Sequence, residues 1–105
     1  MNSALFVYVT TSSPDEAARI GRAAVEERLA ACANILPGMR SIYRWEGAVE
    51  EAEETVLILK TTRERLPTLT KRVRALHSYD VPCIAAFEVA PGNGAYFDWI
   101  AESTG

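Results

Sequence analysis

The chain has 105 residues, a length that accommodates one domain with one core. Hydrophobic residues make up 49% and charged residues 24% of it, proportions typical of globular proteins that exclude a disordered tail, a collagen and a coiled-coil rod. Eleven basic against fourteen acidic residues give a net charge of −3, too acidic for a protein that binds nucleic acid through a basic face. We therefore expect a single domain over residues 1–105 and no nucleic-acid partner.

The sequence predicts no membrane span and no secretion signal. Its longest apolar run, Ala4 to Val9, is far shorter than the roughly 20 residues a spanning helix needs, and no cationic segment with a cleavage site opens the chain. Two cysteines, Cys32 and Cys83, are too few for a disulfide framework. We expect a cytoplasmic protein with reduced thiols and no membrane partner.

The first predicted element is a strand over Ala4 to Val9, which is apolar on both faces. A helix follows, because Ser13 can cap it, Pro14 suits its first position and Glu16 can complete a capping box. Apolar residues then recur at helical spacing as far as Leu29. This pattern predicts an amphipathic helix that packs through one face.

A long hairpin is predicted next. Ala31 to Leu36 and Met39 to Trp45 are extended runs separated by Pro37-Gly38, an interruption tolerated at an edge strand or a bulge. Glu46-Gly47 is a tight-turn signal, after which Ala48 to Thr61 returns as a strand, acidic at first and apolar later. The pattern indicates a hairpin with a polar tip and a base in the core.

The second half of the chain predicts a helix, a strand and a short terminal helix. The helix is marked by apolar residues at steps of three and four, namely Leu66, Leu69, Val73 and Leu76. Val81 to Val89 has the composition of a strand, and the loop Pro91 to Gly94 precedes a segment with Tyr96, Trp99 and Ile100.

The predicted order of elements is βαββαβ with a short C-terminal helix, an α+β arrangement of the ferredoxin-like type with strand order 4-1-3-2. Two helices cover only one face of a four-stranded sheet, yet the first and last strands are apolar on both faces. An uncovered apolar face is normally a contact surface. We therefore predict an oligomer, with the overlong hairpin as an arm that reaches a neighbouring copy.

Several stretches carry a specific pattern: Ala30 to Ile35 with Pro37-Gly38, Ser41 to Gly47, Leu59 to Thr62, and Leu76 to Pro82. Together they resemble the CutA family of divalent-cation tolerance proteins, in register over nearly the whole chain. The resemblance implies a ferredoxin-like homotrimer, similar to the PII signalling proteins, with sheets joined edge to edge through the hairpin. It also implies a role in the response to metal ions, with copper or another divalent cation as ligand and no organic cofactor.

The same resemblance directs attention to a metal site. Family members with described copper ligands have a cysteine after the first strand and two adjacent histidines closing the second helix, where this chain has Thr11 and Leu76-His77. His77 is the single histidine, and Cys83 follows it by six positions with Asp80 between them. Imidazole and thiol are ligands for copper or zinc, so we predict His77, Cys83 and Asp80 as metal ligands. Alternatively, His77 hydrogen-bonds a carbonyl where its helix ends.

Two further functions remain open from the sequence. A PII-like trimer would bind a small anionic effector between subunits, with Arg40, Arg44 and Lys60 as counter-charges and Tyr43 and Trp45 as anchors of the arm. A structural scaffold would instead bind another protein. No nucleotide-binding or nucleophile motif occurs, and a single histidine supports no catalytic triad, so we expect no enzyme and no catalytic residues.

Overall fold

The computed structural model describes residues 4–105, so residues 1–3 of the predicted domain lie outside the described part. Its elements are β1 (Ala4–Thr11), α1 (Pro14–Glu26), β2 (Cys32–Trp45), β3 (Ala48–Thr62), α2 (Leu66–Leu76), β4 (Ile84–Glu88) and α3 (Gly94–Ser103). The strands form one antiparallel sheet in the order β2-β3-β1-β4. The predicted α+β class, order of elements and strand order are confirmed.

Helix α1 begins as predicted but ends earlier. The Ser13 hydroxyl accepts from the backbone N–H of Glu16 at 3.1 Å, and Pro14 is the first helical residue. The helix ends at Glu26 because Arg28 adopts the left-handed conformation, with φ of 61°. Leu29 is nevertheless buried in the core after this turn. The predicted extension of the helix to Leu29 is wrong, because apolar spacing reports burial rather than helical backbone.

The β2–β3 hairpin is continuous across the proline. Pairing shifts register between Leu36 and Met39, so that Pro37-Gly38 forms a bulge, with Gly38 at φ of 80°. At the tip, Glu46 and Gly47 both have positive φ, as a two-residue hairpin loop of type I′ requires. The molecule is 45 Å long but only 25 by 21 Å in the other directions. The long hairpin that the sequence predicts is therefore present.

Strand β4 is shorter than the predicted span from Val81 to Val89, since it covers only Ile84–Glu88. Val81 is 85% exposed, and Pro82 has no N–H to donate to a neighbouring strand. The predicted strand therefore begins too early, because Val81 and Pro82 are apolar but do not pair in the sheet.

The core lies between the sheet and helices α1 and α2. Its fully buried side chains come from all three layers and include Val7, Val9, Ile20, Leu57, Leu59, Leu69 and Val73. On the opposite face, Phe97 and Ile100 of α3 pack against Ala4 and Ala31. The face that the sequence predicts to be uncovered is therefore covered at one end by α3, which the two-helix argument did not place there. Phe87 and Leu36 remain exposed in the described structure.

Gly21 holds α1 close to the sheet. A Cβ at this position would lie 2.9 Å from the Cβ of Ala33 and 3.3 Å from Cδ1 of Leu57. Gly21→Ala should lower the free energy of unfolding by about 1–3 kcal/mol, because overpacking outweighs the gain of up to about 1 kcal/mol in helix propensity. Gly94→Ala is the matched control, since no atom of residues 4–105 lies within 4 Å of a Cβ there. Urea unfolding compares the two, and equal stability would contradict the close approach.

Candidate functional site

The single histidine lies immediately after α2 and uses both ring nitrogens within the chain. Its Nε2 is 2.7 Å from the carbonyl oxygen of Thr10, and its Nδ1 is 3.0 Å from the backbone nitrogen of Tyr79. Because the carbonyl can only accept and the backbone N–H can only donate, Nε2 carries the proton and Nδ1 accepts. A metal ion can bind this imidazole only by displacing one of the two partners.

Glu16 joins the end of β1 to the segment after α2. Its carboxylate is buried and accepts from the backbone N–H of Ser12 and Ser78, both at 2.8 Å, and from the Ser12 hydroxyl at 2.9 Å. Burial alone would raise the pKa of Glu16, but these hydrogen bonds and one from the Ser78 hydroxyl lower it to about 2. The carboxylate is ionised and fully engaged, so its role is to position the loops around His77.

The hydrogen-bonded groups around Glu16 and His77 form a junction between the end of β1 and the segment after α2. Tyr79 connects this junction to the arm. Its hydroxyl donates to Oε2 of Glu54 on β3 at 2.6 Å, and its ring lies 4.8 Å from that of His77 between centroids. Burial, followed by the hydrogen bond to the Glu54 carboxylate, raises the pKa of Tyr79 well above its usual value. The tyrosine therefore stays protonated and fixes the segment after α2 against the hairpin.

The other predicted metal ligands are exposed and unclustered. Cys83 precedes β4 as a free, exposed thiol, and Asp80 lies on the surface beside α2. Within residues 4–105, no three side chains of His, Cys, Asp or Glu come together in an arrangement that could hold a metal ion. One copy of the described chain therefore does not assemble His77, Asp80 and Cys83 into the predicted three-ligand site, and His77 is already hydrogen-bonded on both sides.

The arm carries the predicted anchors at its surface. Trp45 is 60% exposed, Ile42 is 68% exposed and Val49 is 64% exposed, with Tyr43 also accessible. Side chains of this size are normally buried, and here they are concentrated on a protruding hairpin. The arm therefore presents an apolar surface that one copy of the chain leaves uncovered.

The predicted counter-charges Arg40, Arg44 and Lys60 do not converge in one copy. Arg40 forms an ion pair with Glu51 at 2.7 Å, near the middle of the arm. In the sheet Arg40 lies opposite Glu53, and Lys60 lies seven residues further along β3, at the base of the arm, which corresponds to more than about 20 Å of strand. Arg44 is near the tip and has no ion pair or hydrogen bond within residues 4–105. They are three separate charges rather than one anion site.

Lys60 has partners that sequence reasoning missed. Its Nζ donates to the Tyr96 hydroxyl at 3.0 Å and lies 5.0 Å from the Phe6 ring centroid. The hydrogen bond to Tyr96 is the main reason that the pKa of Lys60 is raised. Cys32 is opposite Lys60 in the sheet, and its sulfur is 3.8 Å from the same hydroxyl. Thirty-six positions separate Lys60 from Tyr96, so no local pattern indicates this contact.

Comparison with known proteins gives this geometry a context. Residues 5–103 match the family model described as "CutA1 divalent ion tolerance protein". The chain belongs to the CutA1 divalent ion tolerance family. This confirms the resemblance predicted from the sequence motifs.

CutA relatives are similar over nearly the whole chain. The divalent-cation tolerance protein CutA of Thermus thermophilus is 52% identical over 99 residues, covering 94% of this chain and 96% of that protein. A chloroplastic CutA of Arabidopsis thaliana is 41% identical over 100 residues, which are 95% of this chain but 55% of that protein. The chain thus spans about half the length of this plant relative.

Solved CutA structures have the same fold. The Thermus thermophilus protein superposes with a TM-score of 0.94 at 51% identity, covering 97% of this chain and 99% of that chain. The CutA of Xylella fastidiosa gives 0.95 at 35% identity, covering 98% and 99%. Within residues 4–105, no helix has the length and apolar character needed to cross a membrane.

Proposed function

We propose that this CutA1 protein contributes to divalent-cation tolerance as a homotrimer of PII-like arrangement, and that copper or another divalent ion binds where subunits meet. The observation that carries the proposal is the apolar surface of the arm. A hairpin of 14- and 15-residue strands exposes Trp45, Ile42 and Val49. A protruding apolar surface of this kind is typical of a protein–protein contact, and a second copy of the chain is the partner most readily available.

The sheet supports assembly in a second way. Its outer strands are β2 and β4, so each has one edge whose backbone groups lack a strand partner within the described chain. Pairing β2 of one copy with β4 of the next would satisfy both edges. Three copies related by a threefold axis would close such a ring without leaving an open edge.

A metal site between subunits fits the donors better than a site within one copy. Cys83 is an exposed thiol beside edge strand β4, where a neighbouring arm would add donors. His77 would contribute only after giving up its contact with Thr10 or Tyr79. Thiol and imidazole favour copper or zinc over magnesium or calcium. Binding would weaken as pH falls, since protons compete for both groups.

Calorimetric titration of copper(I) and zinc into the assembled protein tests this proposal, under reducing conditions that do not chelate metal. We expect Cys83→Ser to weaken binding at least about tenfold and His77→Ala to weaken it less, because the imidazole must first break a hydrogen bond. Cys32→Ser is the matched thiol control and should bind like the wild type. Equal binding by all four proteins would exclude Cys83 and His77 as ligands, and no binding by any would make metal tolerance an indirect effect.

The effector function is less well supported than the metal function. Arg40 is neutralised by Glu51, Lys60 donates to Tyr96, and Arg44 lies far from Lys60 along the hairpin. A cleft between subunits would therefore have to bring basic residues from different copies together before it could bind an anion.

We also propose a cytoplasmic location, which would keep the free thiols Cys32 and Cys83 reduced.

A further inference from the structure

An open pocket of about 480 Å³ lies between the outward face of α2 and the segment that leads to β4. None of the residues that line it belongs to the hydrogen-bonded junction of Glu16, His77 and Tyr79. Its volume falls within the range of small-molecule sites, which is roughly 300–1,000 Å³. The pocket is therefore a separate feature with room for a small ligand.

Two cations in this pocket have no partner among the residues that the structure describes. Seven of the eleven basic residues donate to a carboxylate, carbonyl or hydroxyl of the chain. Lys71 and Arg74 line the pocket and form no hydrogen bond or ion pair within residues 4–105. Their i, i+3 spacing on α2 makes them neighbours on one helix face, so both side chains can reach one anionic group.

The pocket also holds one negative charge that is unpaired in the described part of the chain. Asp80 lines it without any hydrogen bond or ion pair to the rest of the described chain, so no basic group lies within 4.0 Å of its carboxylate. The remaining lining residues are Thr70, Pro67, Ala75 and Pro82. The lining thus combines separated charges of both signs with an apolar wall.

We propose that this pocket binds a small zwitterion, namely an α-amino acid with an apolar side chain. Its carboxylate pairs with Lys71 and Arg74, its ammonium pairs with Asp80, and its side chain packs against the apolar wall. A polyphosphate fits less well because Asp80 repels it, and a metal ion fits less well because Lys71 and Arg74 repel it. The site is open, so its affinity is on the order of 1 mM for a ligand of this size.

Matched ligands test the two charge contacts separately. Leucine, 4-methylpentanoate and 3-methylbutylamine share one side chain, but the second lacks the ammonium and the third lacks the carboxylate. Titration followed by two-dimensional NMR of backbone amides should show saturable shifts in α2 and around Asp80. We expect leucine to bind at least about threefold more tightly than 4-methylpentanoate and tenfold more tightly than the amine. No saturable shift with leucine at tens of millimolar would overturn the proposal.

Variants assign the contacts to residues. Lys71→Gln with Arg74→Gln should weaken leucine binding at least tenfold, and Asp80→Asn should abolish the preference for leucine over 4-methylpentanoate. Arg22→Gln is the control, because Arg22 is an exposed cation on α1 that also lacks a partner among residues 4–105. All substituted side chains are exposed, so the fold should persist, and the unchanged amide spectrum verifies it. The proposal would be contradicted if Arg22→Gln weakened leucine binding as much as the double variant does, or if the double variant bound leucine like the wild type.

Discussion

Replacing Glu16 by glutamine should lower the free energy of unfolding by about 3 kcal/mol at neutral pH. Glu16 is only 5% exposed, and hydrogen bonds from Ser12 and Ser78 to its carboxylate hold its pKa at about 2, against a usual value of 4.5. Each unit of pKa difference between the folded and unfolded chain corresponds to about 1.4 kcal/mol. Glutamine has one amide group in place of a carboxylate oxygen, so it cannot accept from Ser12 and Ser78 together.

The pH dependence of this stability follows from the direction of the shift. Because the folded pKa of Glu16 is below the unfolded one, its contribution is fully present above about pH 4.5 and is lost as pH falls from 4.5 to about 2. Urea unfolding at pH 7 and pH 3 should show a difference between wild type and Glu16→Gln that shrinks at the lower pH. Glu26→Gln, on the exposed surface of the same helix, is the control. A difference independent of pH would show that the carboxylate charge does not stabilise the junction.

Replacing Trp45 by alanine should weaken assembly by about 2 kcal/mol or more at each interface. The side chain is 60% exposed in one copy, and truncation of a buried aromatic anchor at an interface typically costs this much. The dissociation constant between subunits should rise at least about thirtyfold per interface. Sedimentation velocity over a dilution series measures this shift, and circular dichroism verifies that each copy remains folded.

A matched pair of valines shows whether the effect belongs to the arm. Val49 is exposed on the arm and Val25 is exposed on α1, so both lose the same atoms on substitution by alanine. We expect Val49→Ala to weaken assembly measurably and Val25→Ala to leave it unchanged. Equal behaviour of the two variants would show that subunits do not meet through the arm.

The parts of the fold that local chemistry controls were predictable from sequence. Ser13 caps α1 because its hydroxyl is within reach of the Glu16 amide three residues later. Glu46-Gly47 closes the hairpin because both residues adopt positive φ. Pro37 lies on outer strand β2, where a missing N–H costs little. Each of these features depends on residues that are neighbours in the chain.

Features that depend on distant contacts were not predictable. The sequence cannot show that His77 meets Thr10, 67 positions away, or that Tyr79 meets Glu54. Both contacts exist because α2 ends beside the end of β1, which only the assembled sheet determines. The site was therefore predicted as a set of metal ligands, whereas in one copy His77 joins a hydrogen-bonded junction. Phe97 of α3 also packs on one end of the sheet through residues that are distant in sequence, so this contact could not be predicted either.

The molar mass in solution is the most direct test of the proposal that the arm joins subunits. Multi-angle light scattering on the eluting protein at micromolar concentration should give about 34 kDa, three times the 11.5 kDa of one chain. A mass near 11.5 kDa would contradict the homotrimer and the placement of a metal site between subunits.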